Sequence, residues 1–212
     1  MLLILIISIT IIISYIGFND SKIFNKYMFQ VGAVKQCKEY FRILSSGFLH
    51  ADFMHLLFNM ITLYFFGYLV IYFFGNLGFL LIYLGAIIAG NIFSLFVYQK
   101  NFIYSAIGAS GGVSGILFAA ITINPHMGIN FLFIPIPIPG YIFGALYFSY
   151  SVYMMLNPKQ WDNLGHAAHL GGAVIGLLYA FISYPTLAMN NILQIFIMSL
   201  PLLYLGSRLI KK

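Results

Sequence analysis

Apolar residues run in long unbroken stretches along this chain, and short polar connections separate them. Stretches close to the roughly 20 residues that a helix needs to cross a bilayer lie at about Leu2 to Phe18, Phe53 to Phe74, Leu77 to Tyr98, Ile107 to Ile123, Tyr141 to Leu156, Leu164 to Tyr184 and Ile192 to Leu205. In hydrocarbon, backbone polar groups must be satisfied within their own segment, which favours helices over open sheets. The pattern therefore predicts an all-α, polytopic membrane bundle: six core helices and a seventh, C-terminal one. It reads as a single membrane domain over 1–212, with a first span over 1–18, a core at about 39–184, and an extra span with a basic tail over 185–212. Leu2 to Phe18 has neither a basic leader nor an A-x-A-like site, so it is expected to be retained as a helix.

The connections differ in kind. Asn19 to about Ala51 mixes Lys22, Lys26, Lys35, Lys38, Glu39 and Arg42 with Phe41, Ile43, Leu44, Phe48 and Leu49. That mixture suits an ordered interfacial loop whose basic ends reach water and phosphate. Glu39 and Arg42, three apart, are expected to pair weakly across one exposed turn. Gly75-Asn76 is a tight turn. Asn124 to Gly140, with Pro135, Pro137 and Pro139, cannot be regular helix and reads as an extended segment at the membrane surface.

Composition agrees with the pattern. The chain is 62% hydrophobic and 7% charged, against roughly half apolar and a quarter charged in soluble domains. The net charge of +6 comes from basic residues scattered beside the spans, which fits lipid headgroups and shows no nucleic-acid-binding pattern. Alternating the spans puts every Lys and Arg on one side, which the positive-inside rule makes cytoplasmic. Cys37 is the only cysteine, so neither an intramolecular disulfide nor a cysteine metal cluster can form.

The chemistry is narrowed by what is missing. The four acids, Asp20, Glu39, Asp52 and Asp162, all sit at span edges or in connections. A membrane aspartyl site needs two carboxylates at depth, a proton or cation pathway normally one. A zinc hydrolase would ordinarily carry H-E-x-x-H, and no metal or other cofactor is expected. The polar residues left in the spans gather at the starts of even-numbered ones: His55 and Asn59, Ser110 and Ser114, His166 and His169. All these starts lie on one side of the membrane, so the groups can converge.

Taken singly, each has a plain packing explanation, and His50, His126 and His166 are read as hydrogen-bonded packing residues. Taken together, a serine at a helix mouth, a histidine and several hydrogen-bond donors supply the parts for acyl transfer. Gly108, Gly111 and Gly115 give the fourth span a glycine face, and Gly172 with Gly176 form G-x-x-x-G on the sixth. Close approach of those helices would bring His169 within reach of a serine. With no acid available, the arrangement would be a Ser-His dyad.

At this point the chain resembles the rhomboid family of intramembrane serine proteases, of bacterial type. The resemblance rests on His55-Leu56-Leu57-Phe58-Asn59, Gly108-Ala109-Ser110-Gly111, Ala168-His169-Leu170-Gly171-Gly172 with Gly176, and Glu39-Tyr40-Phe41-Arg42. It implies Ser110 as nucleophile, His169 as general base and acid, and His55 and Asn59 at the oxyanion hole. Glu39, Arg42, Gly111, Gly172 and Gly176 would give structural support. It also selects Ser110 over Ser114, because the family serine precedes its helix by about a turn. Ser114 stands where many members carry an aromatic that stacks on the histidine, leaving open what orients His169. The family further implies transmembrane-helix protein substrates in the bilayer, and a bacterial plasma membrane with the active face extracytoplasmic, against the charge tally. Competing readings are a rhomboid-like pseudoprotease that binds membrane clients without cutting them, and a small transporter.

Overall fold

The computed structural model describes residues 1–131, 134–159, 162 and 164–210. Lys211 and Lys212 of the basic tail therefore lie outside the described residues. The first span is α1 (Leu2–Asn19). The connection after it folds into α2 (Ser21–Tyr27), β1 (Phe29–Gln30), α3 (Val31–Gln36), α4 (Arg42–Ser45) and a 3-10 turn at Ser46–Phe48. Asp20 starts α2 as its N-cap, its carboxylate accepting from the Lys22 and Ile23 N–H groups. β1 pairs antiparallel with β2 (Ser105–Ala106), tying this connection to the segment that leads into the serine helix.

The second and third runs form α5 (Phe53–Val97), 45 residues long but broken at Gly75, where φ is 69° and ψ 178°. A left-handed φ is costly for a residue with a Cβ, so the turn expected at Gly75-Asn76 is realised at a glycine. Its arms, 53–74 and 76–97, are the second and third spans.

The fourth span is shorter than its apolar run. Gly108 has φ 115°, and α6 (Ser110–Ile123) starts two residues later with 14 residues. At 1.5 Å per residue α6 is about 21 Å long, less than the roughly 30 Å hydrocarbon core. Ser110 is the first helical residue and does not precede the helix by a turn, as the sequence reading expected.

The proline-rich connection forms a hairpin, β3 (Gly128–Phe131) against β4 (Ile134–Pro139), with a register irregularity between Ile129 and Phe131. Then follow α7 (Gly140–Leu156), α8 (His166–Ser183), α9 (Pro185–Asn190) and α10 (Ile192–Ile210). The seventh apolar run is thus a 19-residue helix with Pro201 inside it, and it packs on α7.

The core is centred on α6, all of whose residues after Ser110 are buried. It lies between the second arm of α5 and α8, and the three helices approach at backbone distance. A Cβ on Gly172 would meet the Gly111 carbonyl and one on Gly176 the Gly115 carbonyl, while one on Gly171 would lie 2.9 Å from the Gly90 Cα. Here the fold needs hydrogen as the side chain.

Candidate active site

Three helix starts deliver the polar residues to one level. α6 presents Ser110 at its mouth, α8 presents His169 one turn from its own start, and α5 presents His55 in its first turn. The Asp52 carboxylate caps α5 by accepting from the His55 N–H at 2.8 Å, which fixes the entry of that helix. The backbone contact of α6 with α8 then sets the central distance: His169 Nε2 and Ser110 Oγ share a hydrogen bond of 2.6 Å.

Gly108 explains where His55 lies. A Cβ there would fall 2.7 Å from His55 Cε1 and 2.8 Å from Nε2, with Ser110 Oγ at 3.7 Å. The His55 imidazole is therefore laid against the turn that carries the serine. Asn59, on the same stripe of α5 and buried, donates from Nδ2 to the His55 carbonyl at 3.1 Å. One amide hydrogen is held by its own helix, and Nδ2 retains the other as a donor. The first-turn N–H groups of α6, at Ser110, Gly111 and Gly112, have no helical carbonyl within their reach.

The connection between α1 and α5 holds the serine turn in place. Gly108 N–H donates to the Ser46 carbonyl at 3.0 Å, and Ala109 N–H donates to His50 Nε2 at 3.2 Å. Asn91 ties that connection to α5, donating to the Ile43 carbonyl at 2.8 Å and to Ser46 Oγ at 3.0 Å. Glu39 and Arg42 are more than the weak exposed pair expected from their spacing. Arg42 Nε donates to Glu39 Oε2 at 2.5 Å, and Nη1 donates to the Asn25 and Met28 carbonyls at 2.7 and 2.8 Å. The guanidinium is buried and fastens α2 to α4, so its bonds form where competing water is scarce.

Tyr147 is the site residue that the sequence does not reveal, and His50, expected as a hydrogen-bonded packing residue, is one whose partners lie beside the serine turn. His50, 0% exposed, bonds Ser14 Oγ of α1 through Nδ1 at 2.8 Å, and its ring lies edge-on to His55 at 4.9 Å. Its signal was its place five residues before His55. Tyr147 of α7 faces His169, ring centroids 6.2 Å apart and planes inclined 29°, and its hydroxyl shares a 2.7 Å hydrogen bond with Ser114 Oγ. An aromatic inside an apolar run carries no such signal. His166 bonds Asp162 at 2.7 Å and His126 bonds Gln194 at 3.1 Å, so both are hydrogen-bonded away from Ser110. Among the described residues, no group of three or more His, Cys, Asp or Glu is placed to hold a metal ion.

A polytopic helical membrane protein with a serine and a histidine joined by a hydrogen bond between two helix starts is the class that fold and site define. The Rhomboid domain family profile matches residues 37–186, and this chain belongs to the rhomboid family. Rhomboid protein 1, mitochondrial, of Saccharomyces cerevisiae is 35% identical over 143 residues, covering 66% of this chain and 40% of that protein. The human Presenilin-associated rhomboid-like protein, mitochondrial, is 31% identical over 140 residues, covering 65% and 36%. RHOMBOID-like protein 12, mitochondrial, of Arabidopsis thaliana is 27% identical over 176 residues, covering 76% and 51%. The chain spans about half or less of the length of these curated relatives. Their names place them in mitochondria, so the expectation of a bacterial-type member is not borne out.

Proposed function

We propose that this chain is an intramembrane serine endopeptidase that cuts transmembrane helices of other membrane proteins by a Ser110-His169 dyad. The observation that carries the reading is the 2.6 Å hydrogen bond between Ser110 Oγ and His169 Nε2, inside the range required for proton transfer. Ser110 gives its proton to His169 as Oγ attacks the scissile carbonyl. The oxyanion is received by donors of His55, Asn59 and the first turn of α6. His169 then returns the proton to the departing amine, and water repeats the sequence on the acyl-enzyme. A helix as short as α6 supports a reading in which the serine works below the membrane surface, where a substrate helix arrives through lipid and must unwind to expose a carbonyl.

In this reading the partners are single- or multi-span membrane substrates and the bilayer, with no nucleic acid and no metal. The chain is a multi-pass membrane protein whose active face points away from the cytoplasm. Domain boundaries follow the same reading, with one membrane domain whose core runs over about 39–184.

The test is cleavage of a model single-span substrate by purified protein in liposomes. Wild type and Ser114→Ala are expected to cut, and Ser110→Ala and His169→Ala to lose cutting by about a million-fold, as when a nucleophile or its base is removed. Cutting by Ser110→Ala would remove the nucleophile assignment. Binding of substrates by wild type without any cutting would favour the client-binding pseudoprotease, and solute flux in the same liposomes the transporter.

A further inference from the structure

One hydrogen bond locates a single ring nitrogen of His169 but leaves the plane of the imidazole to its packing. A general base works only when its lone pair points at the proton it takes, so ring orientation enters the rate directly. Two rings set that plane. His166 meets His169 edge-on, with centroids 6.1 Å apart and an inclination of 70°. Tyr147 lies across its face at 6.2 Å and 29°, within the roughly 4.5 to 7 Å range of offset aromatic pairs.

Tyr147 belongs to α7, a helix that packs more extensively on α10 than on α6. Its place beside the site is set by its hydroxyl, bonded to Ser114 Oγ at 2.7 Å, and by Phe118 of α6, whose ring is 5.4 Å away. Ser114 is 4% exposed, and a buried hydroxyl that loses its partner keeps its full desolvation cost. Ser110 and Ser114 are four positions apart, which places them on the same face of α6. Nucleophile, base, aromatic and anchor therefore close a ring that begins and ends on one helix.

We propose that Tyr147 is the positioning residue for His169, with Ser114 as the anchor that holds it. The proposal rests on the dyad reading above. The aromatic that orients the base is thus supplied by α7, and the small Ser114 leaves room for it.

The experiment measures the labelling rate of Ser110 by a small fluorophosphonate, kcat and KM for a single-span substrate, and the unfolding midpoint. Tyr147→Ala is expected to slow labelling and kcat by about 100-fold with KM unchanged, the scale of a misplacement near 1 Å. Tyr147→Phe and Ser114→Ala should each cost about fivefold, one hydrogen bond's worth, and no more when combined. Adding Ser114→Phe to Tyr147→Ala, which supplies a ring from α6, should recover at least about tenfold.

Labelling that ignores Tyr147→Ala while KM rises would overturn the proposal and give the ring to substrate entry. If Tyr147→Ala does not fold, the conservative pair decides: additive losses overturn the anchor. Wild type that neither labels nor cuts overturns the dyad reading and this proposal with it. Insensitivity of labelling to Tyr147 overturns this proposal alone.

Discussion

His50 uses its two ring nitrogens in opposite roles, and that makes it sensitive to pH. Ser14 Oγ donates to the Phe48 carbonyl at 2.9 Å, so it accepts from His50 Nδ1–H, leaving Nε2 bare to accept from Ala109 N–H. A second proton on the ring would cancel the bond that steadies the residue before Ser110. Burial, and next the neighbouring His55, push the His50 pKa from 6.5 down to about 3, with Asp52 pulling the other way. The unfolded chain takes up this proton near 6.5 and the folded one far lower, so the unfolded state binds more protons across the interval. Stability present above pH 6.5 is therefore lost as pH falls towards 3. Unfolding midpoints in detergent are expected to fall through this window, and less steeply in His50→Phe; equal slopes would locate the titration elsewhere. The sequence marks Ser110, His169, His55 and Asn59 because each sits in a motif or at a polar break in an apolar run. It marks His50 only as a packing histidine near His55 and does not mark Tyr147, because what the two touch depends on folded loops and helix tilts that no local spacing encodes.

At the scale of elements, the distance from Ser110 to His169 is set by how closely α6 and α8 approach. Added methyl groups at Gly172 and Gly176 would meet the carbonyls of Gly111 and Gly115, which are backbone and cannot swing aside. Overpacking of this kind costs about 1 to 3 kcal/mol, and it parts the helices where the hydrogen bond between them requires contact. Gly172→Ala and Gly176→Ala are expected to lower both the unfolding midpoint and cleavage, cleavage by about 100-fold. Gly206→Ala in α10, where nothing lies within 4 Å of the added carbon, should change neither. Wild-type cleavage by Gly176→Ala would mean that the helices are not held at backbone contact. The G-x-x-x-G of α8 is legible in sequence because small residues at that spacing have one structural use in a span. Other features are less so. The start of α6 at Ser110 follows from the left-handed Gly108, and the β3–β4 hairpin from pairing between residues up to 11 apart. Neither leaves a trace in hydropathy, which is why an apolar run from Ile107 overstates the helix.

For the whole molecule, the open matter is which way it faces, and the folded chain sharpens the conflict in its charges. With α10 present as a seventh helix, the described Lys and Arg residues, from Lys22 to Arg208, all fall on the face that carries Ser110 and His169. The connections on the opposite face, at 75–76, 124–140 and 184–191, contain no charged side chain. Lysines and arginines close to span ends bias insertion towards the cytoplasm, whereas the proposed function turns this face away from it. The chain carries its own reporter, since Cys37 is the sole cysteine, is exposed, and follows α3 in the connection that supports the serine turn. In a bacterial host producing the chain, a membrane-impermeant maleimide should label Cys37 in intact cells, and Cys37→Ser should abolish the signal. Labelling only after the cells are opened would assign the orientation to the charges. Substrates would then have to present their cleavage sites on the cytoplasmic side. The dyad geometry is the same in either orientation, so the two outcomes separate where the site works from how it works.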